Sequence, residues 1–276
     1  MIRGSMVALI TPFNEDGSVN YKRLLVLGTT AETPTLTVSE EDEIARISIE
    51  QAKGRVPIIV GSGSNNTMVA IEQSLKYEKM GADGLLVITP YYNKASKAGM
   101  VNHFMQVADA VHTPVYVYNV PGRTGVSLTY EALAEISQHK NIVGIKEASG
   151  NMSLICQFSK LINENFNVYS GNDDINVALM SMGGAGSISV MANILPKEVH
   201  DIAMACQNGD FETARKMQLK YLDFINALFI ETNPIPIKEA MNMAGLNVGG
   251  YRLPLCPMAD DTKAVLKAEM EKLGII

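Results

Sequence analysis

The chain has 276 residues, 47% hydrophobic and 19% charged, with a net charge of −6. That length buries a core as one domain or two, and an acidic balance without a basic stripe argues against nucleic acid as a partner. No apolar run is long enough to span a membrane, and three widely spaced cysteines (Cys156, Cys206, Cys256) fit a reducing cytosol rather than a disulfide framework or a zinc site.

The first apolar run, Met6-Val-Ala-Leu-Ile10, is too short for a signal peptide and reads as a strand. Short apolar runs then recur: Val7–Ile10, Leu25–Leu27, Ile58–Val60, Leu85–Ile88, Val115–Tyr118, Ile142–Ile145, Phe166–Tyr169 and Gly186–Val190. Between them lie helical spacings, as in Met68, Ile71 and Leu75, or Val101, Phe104, Met105, Ala108 and Val111. Ser39-Glu-Glu-Asp42 ahead of Ile44 and Ile47 reads as a capping box. Alternating strands and helices imply a parallel sheet, and eight such units favour a closed (β/α)8 TIM barrel over an open doubly wound sheet. The tail is predicted helical over Phe211–Phe229, Pro236–Ala244 and Asp260–Leu273, with Leu219, Leu222, Phe224 and Leu228 buried against the barrel or a partner subunit. The expected division is a barrel over residues 1–208 and a C-terminal helical extension over 209–276.

Chemistry gathers at predicted strand ends. Alternation puts Ile142, Gly144 and Lys146 on one strand face, so Lys146 closes an apolar strand and its ammonium loses hydration. Such a lysine either pairs with an acid, Glu147 being nearest in sequence, or lowers its pKa and becomes an amine nucleophile for a carbonyl substrate. Val115 and Val117 face one way on the strand before it, Tyr116 and Tyr118 the other; the strand breaks at Pro121-Gly122, followed by Arg123. Thr29 and Thr30 end the second run. An amine, a phenol, a guanidinium and two hydroxyls suit a small keto acid. The glycine-rich Gly61-Ser-Gly-Ser-Asn-Asn66 matches no phosphate-binding fingerprint and reads as a tight strand-to-helix turn, and Gly183-Gly-Ala-Gly186 as a close backbone approach. His103, His112, His139 and His200 are scattered, so neither metal nor cofactor is expected.

Taken together, seven segments resemble the dihydrodipicolinate synthase (4-hydroxy-tetrahydrodipicolinate synthase) family, pyruvate-dependent class I aldolases that include N-acetylneuraminate lyase. They are Gly4–Pro12, Gly28–Glu32, Thr89–Asn93, Tyr118–Gly125, Gly144–Gly150, Asn233–Pro236 and Tyr251–Leu255, spread over nearly the whole chain. The resemblance implies a barrel enzyme in which pyruvate forms a Schiff base with Lys146 and the derived enamine attacks L-aspartate semialdehyde. Tyr118 and Thr30 would belong to a proton relay, with Tyr92 as a third member reaching in from the neighbouring subunit. Thr29 and Thr30 would hold the pyruvate carboxylate, Arg123 the semialdehyde carboxylate, and Ile188 would face pyruvate through its backbone carbonyl. A homotetramer of two tight dimers is implied as well. The paired threonines and the Pro-Gly-Arg-Thr-Gly segment favour the synthase over the sister sugar-acid aldolases. In lysine-inhibited relatives the effector is held partly by histidine and glutamate side chains, where this chain has Val38, Glu41 and Val69, though Asn65 and Tyr91 are retained.

One departure stands out. The family has a helix between its first two strands, whereas here Val19-Asn-Tyr-Lys-Arg-Leu24 runs directly into Leu25-Val-Leu-Gly28. The helix start is present and most of its body is missing, although a parallel crossover ordinarily needs a dozen or more residues. An extended loop would then leave apolar surface on the first strands uncovered, and an inactive barrel is the alternative reading.

Overall fold

The computed structural model describes residues 2–14, 16, 18, 19 and 27–276. Its elements are β1 (Gly4–Val7), α1 (Val38–Ala52), β2 (Ile59–Gly61), α2 (Thr67–Met80), β3 (Gly84–Ile88), α3 (Lys97–Ala110), β4 (Val115–Asn119), α4 (Pro121–Thr124), α5 (Tyr130–Ile136) and β5 (Ile142–Glu147). These are followed by α6 (Met152–Ser159), β6 (Asn167–Ser170), α7 (Asn176–Ser181), β7 (Gly186–Ser189), α8 (Pro196–Gln207), α9 (Phe211–Ala227), α10 (Ile235–Met243) and α11 (Asp260–Lys272). The strands order as β1-β7-β6-β5-β4-β3-β2, and β2 through β7 pair in parallel. The run at Leu25–Leu27, which the sequence reading needs as a strand, lies outside the described residues except for Leu27. So does the interrupted crossover between Asn20 and Val26.

Two compact units are distinguished. The first comprises Met1–Gly4 and Ala52–Ile188. Its helices bury one face each: α3 does so through Met100, Val101, Phe104, Val107 and Ala108, the apolar stripe of a surface helix. Helix α2 starts at Asn66, whose side chain accepts from the N–H groups of Met68 and Val69, and stops at Gly81 with φ 93°. The Gly61–Asn66 turn is tight for a steric reason: a Cβ on Gly63 would lie 2.4 Å from the backbone nitrogen of Ile88. Within the sheet, Tyr116 and Tyr169 meet edge to face at 5.8 Å. They are accommodated by Gly84 and Gly144, where a Cβ would stand 3.0 Å from the Tyr116 and Tyr169 rings respectively.

The strand β1 begins earlier than the sequence pattern suggests, at Gly4 rather than Val7. Gly4 donates to the Ala185 carbonyl at 3.0 Å, and a Cβ on Gly186 would overlap the Gly4 carbonyl at 1.7 Å. Two glycines facing each other therefore set where pairing starts, which hydrophobicity does not reveal.

The second unit comprises Ser5–Gln51 and Ser189–Ile276. Helix α1 is capped two residues before the expected position: the Thr37 hydroxyl accepts from the Glu40 N–H and the Glu40 carboxylate accepts from the Thr37 N–H. Val19, read as the start of a helix, instead forms an antiparallel bridge with Phe13. On α9, Phe224 is buried and Leu228 just beyond its end is too, whereas Leu219 is 57% exposed within this chain, so that only a partner subunit could bury it. An apolar hollow of about 400 Å³ is lined by Val7, Leu9, Ile10, Pro12, Met241 and Leu246, among others.

Candidate active site

In the first unit, Tyr118 on β4 and Lys146 on β5 are directly paired in register. Both are buried, at 7% and 6% exposure, and the Lys146 ammonium lies 4.5 Å from the centroid of the Tyr118 ring. Among the described residues Lys146 takes part in no ion pair. The acid beside it in sequence is engaged elsewhere: the Glu147 carboxylate accepts from Asn119 Nδ2 at 2.8 Å and from the Ser149 N–H at 2.6 Å. Burial pushes the Glu147 pKa up, opposed by hydrogen bonding from Ser149, side chain and backbone, and from Asn119. Strand alternation explains the separation, since Lys146 and Glu147 leave opposite faces.

Room for the lysine depends on a glycine that the sequence pattern did not single out. A Cβ at Gly171, which follows β6, would lie 2.7 Å from Ala148 Cβ and 3.1 Å from Lys146 Cε. The signal was available in Tyr169-Ser-Gly171, a glycine just past a strand end, but no pattern says which neighbour it must clear. Tyr169 is pinned by its hydroxyl donating to the Ile2 carbonyl at 2.7 Å, and burial raises the pKa values of both Tyr116 and Tyr169.

The remaining first-unit candidates are placed as follows. Arg123 is exposed on the single-turn helix α4, which ends at Gly125 with φ 71°. Ile188 is buried near the end of β7. Tyr92 is 88% exposed and carries φ 69°, a left-handed backbone unusual for an aromatic residue. Its neighbour Asn93 is tied to the Asn65 carbonyl at 2.8 Å, so the turn is anchored while the phenol projects outward. Within this chain Tyr92 does not gather with Tyr118 and Lys146.

In the second unit, Thr29 and Thr30 do not terminate a described strand; they sit in a 3-10 turn, Thr29–Ala31. The Thr30 hydroxyl is buried and accepts from Asn233 Nδ2 at 3.0 Å, which leaves its own proton to donate. Behind the turn, Glu32 adopts φ 55° and its carboxylate meets the Lys238 ammonium at 2.7 Å, both side chains being fully buried. The Lys238 ammonium lies 4.3 Å from the Phe13 ring centroid and 5.2 Å from that of Tyr251. Burial lowers its pKa, opposed by Glu32. Arg252 pairs with Glu40 at 2.6 Å and holds that carboxyl down at about 2. Asn233 and Tyr251, in two of the segments that carry the family resemblance, thus support the threonine turn, a role their position in the sequence does not reveal.

Among the described residues no cluster of three or more acidic, histidine or cysteine side chains is placed to hold a metal, and no helix is long and apolar enough to cross a membrane.

Known proteins resemble this chain over nearly its whole length. The sequence model of the Dihydrodipicolinate synthetase family matches residues 22–273. A 4-hydroxy-tetrahydrodipicolinate synthase of Clostridium perfringens is 46% identical over 291 residues, covering 100% of both chains, and one of Clostridium novyi is 47% identical, covering 98% of this chain and 96% of its own. The 291 aligned positions exceed the 276 residues here, so the relative has positions for which this chain has no counterpart. The dihydrodipicolinate synthase of Acinetobacter baumannii, whose structure is described as chloride inhibited and complexed with pyruvate, superposes with a TM-score of 0.96 at 38% identity, covering 100% of each chain. The fold class is therefore the (β/α)8 barrel with C-terminal helices, and the chain belongs to the dihydrodipicolinate synthetase family.

Proposed function

We propose that this chain condenses pyruvate with L-aspartate semialdehyde to give 4-hydroxy-tetrahydrodipicolinate, a step of lysine biosynthesis, through a Schiff base on Lys146. The observation that carries the reading is the pairing of Lys146 with Tyr118: a buried amine, in no ion pair among the described residues, against a buried phenol at adjacent parallel strand ends. The amine adds to the keto carbon and water leaves, giving an imine. Loss of a methyl proton gives an enamine, whose carbon attacks the aldehyde; the amino group of the semialdehyde then adds to the imine carbon and expels the Lys146 amine, closing the ring. Each proton movement needs a group that both donates and accepts, which a phenol or a hydroxyl does and a lysine ammonium does not.

The family motifs assign the other roles. Tyr118, Thr30 and Tyr92 form the relay, and the hydroxyls of Thr29 and Thr30 hold the pyruvate carboxylate. Arg123 receives the semialdehyde carboxylate in a bidentate match, and the Ile188 carbonyl faces pyruvate. The exposure of Tyr92, together with its anchored turn, supports its service to a neighbouring subunit, and with it a tetramer of two dimers. The proposed compartment is the cytoplasm, and the proposed division remains a barrel over 1–208 with an extension over 209–276.

The test is reduction with borohydride in the presence of pyruvate, read by intact mass. The wild-type chain should gain one reduced pyruvyl adduct and Lys146→Ala none. An adduct on the variant, or none on the wild type, would overturn the reading.

A further inference from the structure

Two residues that touch neither Lys146 nor Arg123 in any hydrogen bond described above link the strand ends on which both depend. Asn119 follows Tyr118 on β4, and Glu147 follows Lys146 on β5. Both are fully buried. Asn119 Oδ1 accepts from the Leu128 N–H at 3.0 Å, which closes the segment from Val120 to Ser127 that contains Arg123. Its Nδ2 donates to Glu147 Oε2 at 2.8 Å, and Glu147 Oε1 accepts from the Ser149 N–H at 2.6 Å. Backbone bonds from Ala148 to the Asn119 carbonyl and from Gly171 to the Glu147 carbonyl fix the strands independently of these side chains. What the side chains alone add is the return of the Arg123 segment at Leu128.

The direction of this chain of bonds is forced at both ends by backbone N–H groups. Leu128 can only donate, so the asparagine oxygen must face it and its nitrogen must face residue 147. The Ser149 N–H that faces Oε1 can only donate as well, so residue 147 must offer an acceptor to each of these two donors, which a carboxylate does and an amide does not. We infer that Glu147 is a positioning residue: acting through Asn119, it fixes the return of the Arg123 segment and so presents Arg123 to the carboxylate of the second substrate. The inference rests on the role proposed above for Arg123.

Glu147→Gln leaves one donor facing another, whichever way either amide is turned. The paired change Asn119→Asp with Glu147→Gln restores every bond: the aspartate accepts from Leu128 and from the glutamine amide, and the glutamine oxygen accepts from Ser149. The buried negative charge is kept and moved by one side chain. Two readouts apply to wild type, E147Q and the N119D/E147Q pair. The first compares the KM for L-aspartate semialdehyde with the rate of borohydride trapping of pyruvate. E147Q should raise that KM by about 10-fold or more, as small misplacements do, while trapping stays unchanged. The pair should return KM toward wild type. The second readout is independent of activity: native trypsin digestion, mapped by mass, at the exposed Arg123. Cleavage there should be faster in E147Q and restored in the pair, because proteolysis follows local opening. Should wild type fail to trap pyruvate, the proposed function falls, while the trypsin comparison still decides whether Glu147 holds the segment. Unchanged KM and unchanged cleavage in E147Q would overturn the inference. So would equal loss of both half-reactions with no recovery in the pair.

Discussion

Removing the Lys238 charge should destabilise the protein far more than removing the whole buried pair. Lys238→Met keeps a long unbranched side chain but leaves the Glu32 carboxylate fully buried, with the Arg252 N–H at 3.4 Å as a weak remaining donor. Stranding one member of a buried ion pair costs about 3–5 kcal/mol. At roughly 2–4 °C per kcal/mol for a chain of this size, Tm should fall by about 6–20 °C. Thermal unfolding at neutral pH measures the deficit. The double variant Glu32→Met with Lys238→Met, which removes both charges from an environment that includes the Phe13 and Tyr251 rings, should recover most of the loss. A single variant that melts with the wild type at neutral pH, or a double variant that recovers nothing, would refute the account of a desolvated pair behind the Thr29–Thr30 turn.

Tyr118→Phe should keep the fold, because only the hydroxyl of a ring already packed beside Lys146 is lost, and should slow turnover by about 10²–10⁴-fold. Wild-type turnover would remove Tyr118 from the relay. Feedback by lysine should be weak: Val38 and Val69 are both exposed and offer no polar group for an amino-acid effector. Half-inhibition of the purified enzyme by submillimolar lysine would contradict this.

Much of the architecture was written in period and punctuation. The runs at Leu85–Ile88, Val115–Tyr118 and Ile142–Ile145 lie within β3, β4 and β5, and the tail helices begin within a residue of where apolar spacing put them. Alternation also put Ile142, Gly144 and Lys146 on one face, because the strand period is 2; Glu147, read as an alternative partner for the lysine, leaves the other face by the same period and bonds Asn119 and Ser149 instead. What alternation cannot supply is contact between residues distant in sequence. The opposition of Gly4 and Gly186 moved the start of β1. The Thr37–Glu40 box displaced the expected cap, since a Ser and a Thr two residues apart are equally good candidates until the chain's entry angle is known. Gly171 makes room for Lys146, Glu147 reaches Asn119 across 28 residues, and Lys238 meets Glu32 across 206. Residue type and spacing thus determined which chemistry the chain carries. Tertiary structure decided which groups are buried together, because desolvation and close packing are properties of neighbours in space, not of neighbours in sequence.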